Sequence, residues 1–189
     1  MGMLDRFKID RHQATLLVVD VQEKLAPTFP AEQYREMLGT IDLLIKGAEE
    51  LKIPVVTTEQ YPKGLGPTVP ELRQACASGV IEKTSFGCCA EPSFMERMRE
   101  LGRSQVIVTG VEAHICVYQT VLGLLDAGYH VHLARDGVCS RRRGDYRTAL
   151  QLAREAGAVV SCAETVLFQL MRDSRVPEFR AVSKLVQAR

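Results

Sequence analysis

Three residues of this sequence could together cleave an acyl bond: Asp20, Lys83 and Cys116. A cysteine attacks a carbonyl carbon as the thiolate, so it needs a nearby proton acceptor. Asp20 could take the proton as a general base and return it, as a general acid, to a departing amine. The Lys83 ammonium would keep the Asp20 carboxylate ionised and help to stabilise the thiolate. These residue types predict attack on an amide or related carbonyl group.

Each of the three residues also has a purely structural explanation. Free cysteines are commonly buried, so Cys116 could be a small apolar residue at a strand–helix junction. Asp20 could cap the turn after a strand, and Lys83 could simply point into water. Three such residues at strand ends are harder to explain by chance, which favours the catalytic interpretation.

The segment around Cys116 suggests how a nucleophile could be activated. The apolar run 106–109 leads into Gly110, and Cys116 follows where a helix should begin. A thiol at a helix start lies near unpaired N–H groups and the positive end of the helix dipole, so we expect a stabilised thiolate. The same N–H groups could hold the negative charge of a carbonyl oxygen under attack.

Six strands alternating with helices must position these residues. The predicted strands cover residues 15–20, 54–58, 80–83, 105–109, 130–134 and 158–161. Helical patterns cover 31–51, 93–101, from Cys116 to near Gly128, 146–156, and one or two helices within 164–186. Repeated strand–helix units predict a six-stranded parallel sheet with helices on both faces. Ligands of such sheets bind at the carboxyl ends of the strands, where Asp20, Lys83 and Cys116 would meet.

Composition indicates an ordinary soluble globular protein. The 189 residues are 46% hydrophobic and 25% charged, and a net charge of +1 argues against a dedicated nucleic-acid or membrane surface. Residues 1–12 lack the apolar core of a signal peptide, and no run approaches membrane-spanning length. Six cysteines without a Cys-x-x-Cys pair predict free thiols in a reduced, cytoplasmic protein.

The chain resembles the isochorismatase-like hydrolase family, also called the cysteine hydrolase superfamily. The motifs that carry the resemblance are residues 17–22 (LVVDVQ), 82–86 (EKTSF), 110–117 (GVEAHICV) and 135–141 (RDGVCSR). Residues 58–71 look most like the isochorismatase domain-containing proteins, a subgroup without a settled substrate. The resemblance implies a triad with Cys116 as nucleophile, Asp20 as general acid/base and Lys83 as electrostatic partner. It also implies a cis peptide between Val111 and Glu112, which turns the Glu112 N–H towards that of Cys116 as an oxyanion hole.

Two departures from the family restrict the chemistry. Family nicotinamidases carry an Asp-x-His pair and a later histidine that bind a divalent metal, but no histidine lies between His12 and His114 here. We therefore predict no metal and no cofactor. Family members that hydrolyse isochorismate, a vinyl ether, generally lack the nucleophilic cysteine, so Cys116 favours acyl chemistry.

Each residue of the candidate substrate pocket has a structural interpretation as well as a functional one. Glu59, Gln60 and Tyr61 lie where other members place metal ligands, although they could merely cap a strand and fix a turn. Gln22 and Phe86 are further candidates that could equally be packing residues. His114, in the catalytic turn, is interpreted as substrate-facing or solvent-exposed, outside the triad.

We thus predict one three-layer, Rossmann-like α/β domain over residues 1–189 with strand order 3-2-1-4-5-6. Its expected activity is metal-independent hydrolysis of a small amide through a thioester, and family resemblance suggests a homo-oligomer. One alternative is an isochorismate-like ether hydrolase in which Cys116 forms no covalent intermediate. The other is a catalytically silent, oligomeric interaction module.

Overall fold

The computed structural model describes residues 4–188, which contain a six-stranded, all-parallel sheet of order β3-β2-β1-β4-β5-β6. The strands are β1 Ala14–Val19, β2 Val55–Gln60, β3 Val80–Lys83, β4 Gln105–Val111, β5 His130–Cys139 and β6 Val159–Ser161. The predicted fold class and strand order are confirmed. The predicted domain limits at residues 1 and 189 lie outside the described residues.

Helices cover both faces of the sheet. They are α1 Ala31–Glu50, α2 Pro62–Leu65, α3 Pro92–Leu101, α4 Tyr118–Asp126, α5 Arg143–Glu155, α6 Ala163–Met171 and α7 Phe179–Gln187. Short 3-10 turns span Asp5–Phe7, Ala26–Thr28, Pro70–Cys76 and Cys88–Ala90. Between residues 4 and 188, none of the helices combines the length and apolar character that crossing a bilayer requires.

The central strand β1 shows why both faces need cover. Its six residues are all buried, and successive side chains point to opposite sides. Leu16 and Val18 pack in the core beneath α1, α6 and α7. Leu17 and Val19 pack in the second core, beneath α3, α4 and α5. A continuous apolar run is therefore what a central parallel strand requires.

Two elements near the carboxyl edge differ from the sequence prediction. β5 continues to Cys139, five residues beyond its predicted end, because it resumes pairing with Gly110 and Val111 after a register shift. The helix expected to begin at Cys116 begins at Tyr118 instead. A π-helical turn, Ala113–Val117, precedes it, with the Val117 N–H donating to the Glu112 carbonyl at 3.2 Å.

Gly110 allows the first and fourth strands to approach closely beside the site. Its φ is +114°, and a Cβ built there would lie 2.1 Å from the carbonyl oxygen of Val19. A side chain at this position would push β4 away from β1, so glycine is required for the close approach.

Candidate active site

The structure brings Asp20, Lys83 and Cys116 together at the carboxyl edge of the sheet. Asp20 follows β1, Lys83 ends β3, and Cys116 lies in the π-helical turn after β4. Lys83 Nζ lies 2.6 Å from Asp20 Oδ2, with both side chains completely buried. The Cys116 thiol faces the Asp20 carboxylate closely enough for the two groups to interact electrostatically, and the residue is 8% exposed. An acid, an ammonium and a thiol thus share one nearly closed space.

The Lys83 ammonium has a partner for each of its three protons. Besides Asp20, it donates to the carbonyls of Ser85 at 3.0 Å and Phe86 at 2.7 Å. A buried charge is tolerated when its hydrogen bonds are all made. The turn after β3 therefore folds back on Lys83 and fixes its position beneath Asp20.

Asp20 is held in an unusual backbone conformation and by several donors. Its φ is +51°, a left-handed region that aspartate tolerates better than most residues. Oδ1 accepts a hydrogen bond from the Thr58 hydroxyl at 2.8 Å. Burial raises the pKa of Asp20 above its ordinary value, and the Lys83 ammonium opposes that rise. A carboxyl group of raised pKa is suited to both taking and returning a proton.

The expected resting thiolate at Cys116 is wrong. Burial raises the pKa of the Cys116 thiol well above its usual range, and the Asp20 carboxylate raises it further. The residue is the fourth of the π-helical turn, so it does not stand at the start of an α-helix as expected. The raised pKa therefore favours the neutral thiol as the resting form of Cys116.

The turn between β4 and Cys116 is held through a side chain as well as its backbone. The Val111–Glu112 peptide bond is cis, as predicted. The Glu112 carboxylate accepts hydrogen bonds from Arg141 at its backbone N and at Nε, each at 3.1 Å. The family resemblance implies a role for the backbone N–H of Glu112. Its side chain additionally joins this turn to the segment after β5.

Two of the pocket candidates, Gln22 and Glu59, use their side chains to hydrogen-bond to the end of β2 and the loop that follows it. The Gln22 amide donates to the carbonyls of Gln60 at 3.0 Å and Gly66 at 2.7 Å, and accepts from the Gln60 N–H at 2.8 Å. Glu59 accepts from the Thr68 N–H at 2.6 Å and hydroxyl at 2.7 Å. Both side chains are buried and brace the loop after β2.

The remaining candidates lie at the surface around the site. Tyr61 and Phe86 are each 54% exposed, and Tyr61 has a left-handed φ of +40°. The Gln60 side chain donates to the Thr84 carbonyl at 3.0 Å. The His114 ring lies 3.0 Å from the Ser140 hydroxyl and is partly exposed. Tyr61, Phe86 and His114 form what we call the rim of the site.

Sequence reasoning missed three buried residues behind the triad: Thr58, Cys88 and Thr120. Thr58 pairs with Val19 in the sheet, which places its hydroxyl beside Asp20. Its position at the end of β2 was a usable signal, but threonine is also a common strand residue. Within residues 4–188, no group of three or more His, Cys, Asp or Glu side chains could hold a metal ion.

Comparison with known proteins identifies the family. The isochorismatase domain model matches residues 14–165. Isochorismatase domain-containing protein 2 of Danio rerio is 39% identical over 176 residues, covering 92% of this chain and 86% of that protein. Isochorismatase family protein 1A of Dictyostelium discoideum is 33% identical over 179 residues, with coverage of 92% and 86%. The chain belongs to the isochorismatase family of hydrolases, and the resemblance stated from sequence is confirmed.

A solved structure has the same fold. The structure described as MAR1 ribonuclease from Caenorhabditis elegans superposes with a TM-score of 0.89 at 37% sequence identity. The match covers 95% of this chain and 92% of that one.

Proposed function

We propose that this chain hydrolyses a small amide, or a related C–N acyl compound, through a thioester on Cys116. The observation that carries the proposal is the buried Asp20–Lys83 ion pair at 2.6 Å, with the nearly buried Cys116 thiol facing it. A nucleophile, a base of raised pKa and a fixed positive charge are what this reaction requires.

The first half-reaction forms the acyl-enzyme. Asp20 takes the thiol proton as the Cys116 sulfur bonds to the carbonyl carbon. The backbone N–H groups of Glu112 and Cys116 hold the resulting oxyanion. Asp20 then gives the proton to the nitrogen as the C–N bond breaks, so the amine leaves and a thioester remains.

The second half-reaction restores the enzyme. Asp20, again ionised, takes a proton from water as the water oxygen attacks the thioester carbonyl. The C–S bond breaks, the acid leaves, and Asp20 returns its proton to the Cys116 sulfur. Lys83 keeps one positive charge beside Asp20 and Cys116 throughout. This scheme uses only the chain's own groups and water, with no metal or cofactor.

Burial of the triad supports a small-molecule substrate in preference to a nucleic acid. Asp20 and Lys83 are buried and Cys116 is 8% exposed, so only a slender acyl group reaches the sulfur. The rim (Tyr61, Phe86 and His114) would contact the rest of the substrate. Gln22, Glu59 and Gln60 would shape the pocket by holding the loop that carries Tyr61.

The setting of the enzyme is also a proposal. All six cysteines carry free thiols, which supports a reducing location such as the cytoplasm. The family resemblance is the ground on which we propose a homo-oligomer. We treat the chain as one domain built on the single six-stranded sheet of the described residues.

A turnover screen tests the proposal. The purified chain is incubated with a panel of small primary and secondary amides, vinyl ethers and single-stranded RNA. We expect hydrolysis of at least one amide, lowered at least about 10³-fold by Cys116→Ala. The matched control Cys76→Ala removes a half-buried thiol from a distant turn and should retain activity.

Each other outcome contradicts the proposal in a different way. Amide turnover that survives Cys116→Ala excludes the thioester. Cleavage of vinyl ethers alone supports the ether-hydrolase alternative, and cleavage of RNA supports the activity named for the C. elegans structure. No turnover of any compound favours the interaction module.

A further inference from the structure

The three residues behind the triad join the base and the nucleophile in a ring of contacts. The Thr58 hydroxyl donates to Asp20 Oδ1 at 2.8 Å and lies 3.7 Å from the Cys88 sulfur. The Cys88 N–H donates to the Thr120 hydroxyl at 3.0 Å, and that hydroxyl donates to the Cys116 carbonyl at 2.6 Å. The facing Asp20 carboxylate and Cys116 thiol, which interact electrostatically, complete the ring.

Proton counting gives this ring a direction. The single Thr58 hydroxyl proton goes to the Asp20 carboxylate, so at the 3.7 Å contact Thr58 accepts and the Cys88 S–H donates. Burial supports this direction, because it raises the pKa of Cys88 to about 11 and so keeps the thiol protonated. The Thr120 hydroxyl likewise donates its single proton to the Cys116 carbonyl and accepts a hydrogen bond from the Cys88 N–H.

A purely structural explanation covers only part of this arrangement. A helical threonine often donates to the carbonyl four residues earlier, as Thr120 does to Cys116. This common pattern does not explain why the Thr120 hydroxyl also accepts a hydrogen bond from the Cys88 N–H. It also does not explain why the Cys88 sulfur contacts Thr58, the threonine that donates to Asp20. Four of the five residues are fully buried and Cys116 is nearly so.

We propose that Thr58, Cys88 and Thr120 are positioning residues that hold the Asp20 base against the Cys116 sulfur. This inference rests on the proposed function of the triad. Thr58 acts on Asp20, because a donor to a carboxylate favours its ionised form. Thr120 acts on Cys116, because it fixes the backbone that carries the sulfur. Cys88 links the two and orients the Thr58 hydroxyl.

The two threonines should therefore have distinguishable effects on one measurable rate. The measurement is alkylation of Cys116 by iodoacetamide from about pH 5 to about pH 9, followed for the Cys116 peptide by mass spectrometry. The rate has an acidic limb where the base that accepts the thiol proton becomes protonated. The titratable groups that face Asp20 are Lys83 from β3, Cys116 from the π-helical turn and Cys88 from the 3-10 turn.

Thr58→Val keeps the size of the side chain and removes the donor to Asp20. We expect the acidic limb to move upward by about one pH unit, with a rate about 10-fold lower on that limb. Thr120→Val should lower the rate about 3- to 10-fold at every pH without moving the limb, since the sulfur is displaced while the base is unchanged. Thr58→Ser and Thr120→Ser keep the hydroxyl groups and should restore the wild-type profile.

The Asp20→Asn variant separates failure of this inference from failure of the proposed function. If Asp20→Asn alkylates like the wild type, Asp20 is not the base and the proposed function is overturned. If Asp20→Asn is slow but Thr58→Val keeps the wild-type acidic limb, the positioning role alone is overturned. The serine variants keep the test valid should a valine variant fold poorly. A serine variant that behaves like its valine counterpart also contradicts the inference.

Discussion

The side chains behind the Cys116 thiol and those of the rim differ in exposure and in hydrogen bonding. Asp20, Thr58 and Lys83 are fully buried, and the polar atoms they direct into the site have partners at 2.6–3.0 Å. Tyr61 and Phe86 are each more than half exposed. This difference predicts which property each substitution changes. Interior substitutions should alter stability and chemistry, whereas rim substitutions should alter substrate choice.

The largest effect on stability is expected from the ion pair of the interior. Lys83→Met leaves the Asp20 carboxyl buried without its partner, which in comparable sites costs about 3–5 kcal/mol. Urea denaturation should show a loss of this size. The double variant Lys83→Met/Asp20→Asn removes the stranded charge, so it should recover most of the stability while staying inactive. A Lys83→Met protein as stable as the wild type would show that the interior is not held by this pair.

A second buried ionisable group, elsewhere in the sheet, can be compared with Asp20 because one of its polar atoms lacks a hydrogen-bond partner. His132 in β5 is buried, and within the described residues its Nε2 has no hydrogen-bond partner. Burial lowers the pKa of His132 from 6.5 to about 4, and His130 adds to the effect. Below about pH 6.5 His132 is therefore protonated in the unfolded chain, whereas in the folded chain it stays neutral until the pH falls to about 4.

His132 should thus cost the protein up to about 3 kcal/mol of stability as the pH falls through this window. We expect His132→Phe to flatten the dependence of the unfolding free energy on pH between those limits. His12→Gln, at an exposed histidine, is the matched control and should keep the wild-type slope. An unchanged slope in His132→Phe would mean that this group titrates normally.

A smaller effect is expected where the interior braces the loop that carries Tyr61. Gln22→Leu leaves the Gln60 N–H and the carbonyls of Gln60 and Gly66 without their partner, at a cost of about 1–3 kcal/mol. Hydrogen exchange of the Gln60 amide should accelerate in this variant. The same substitution at exposed Gln151 serves as control and should leave that amide unchanged. Slow exchange of the Gln60 amide in Gln22→Leu would show that the Gln22 side chain does not hold this loop in place.

The smallest effects on stability are expected at the rim. Tyr61→Phe and Phe86→Leu should change the free energy of unfolding by no more than about 0.5 kcal/mol, because both side chains are largely exposed. With an amide that the enzyme turns over, KM should change while kcat stays within about 3-fold of wild type. A fall in kcat of about 10-fold or more would show that these side chains take part in the chemistry, as the interior residues are expected to do.

The sequence predicted the sheet and the triad but missed the three buried residues behind the triad, and the reason is physical. Alternating strands and helices were enough to predict a six-stranded parallel sheet with helices on both faces, and the carboxyl ends of parallel strands bring Asp20, Lys83 and Cys116 to one edge. Thr58, Cys88 and Thr120 were missed because their contacts depend on strand register and on the 3-10 turn that carries Cys88. Neither follows from periodicity, and threonine in an apolar strand fits an ordinary β-structure pattern.

The protonation state of Cys116 was mispredicted for a related reason. The sequence indicated a cysteine near a helix start, which favours the thiolate. The ionisation depends instead on burial and on the distance to Asp20, which only the folded chain determines. Gln22 and Glu59 make the same point, since polar residues after a strand can face a pocket or the backbone of the next loop.

The most direct test of the account is the mass of the Cys116 peptide during turnover. The enzyme is mixed with an excess of a hydrolysed amide, quenched in acid within the first turnovers, digested and analysed by mass spectrometry. The account predicts one acyl group on Cys116, lost on treatment with neutral hydroxylamine, as a thioester requires. Steady turnover with an unmodified Cys116 peptide, or an acyl group on another residue, would contradict it.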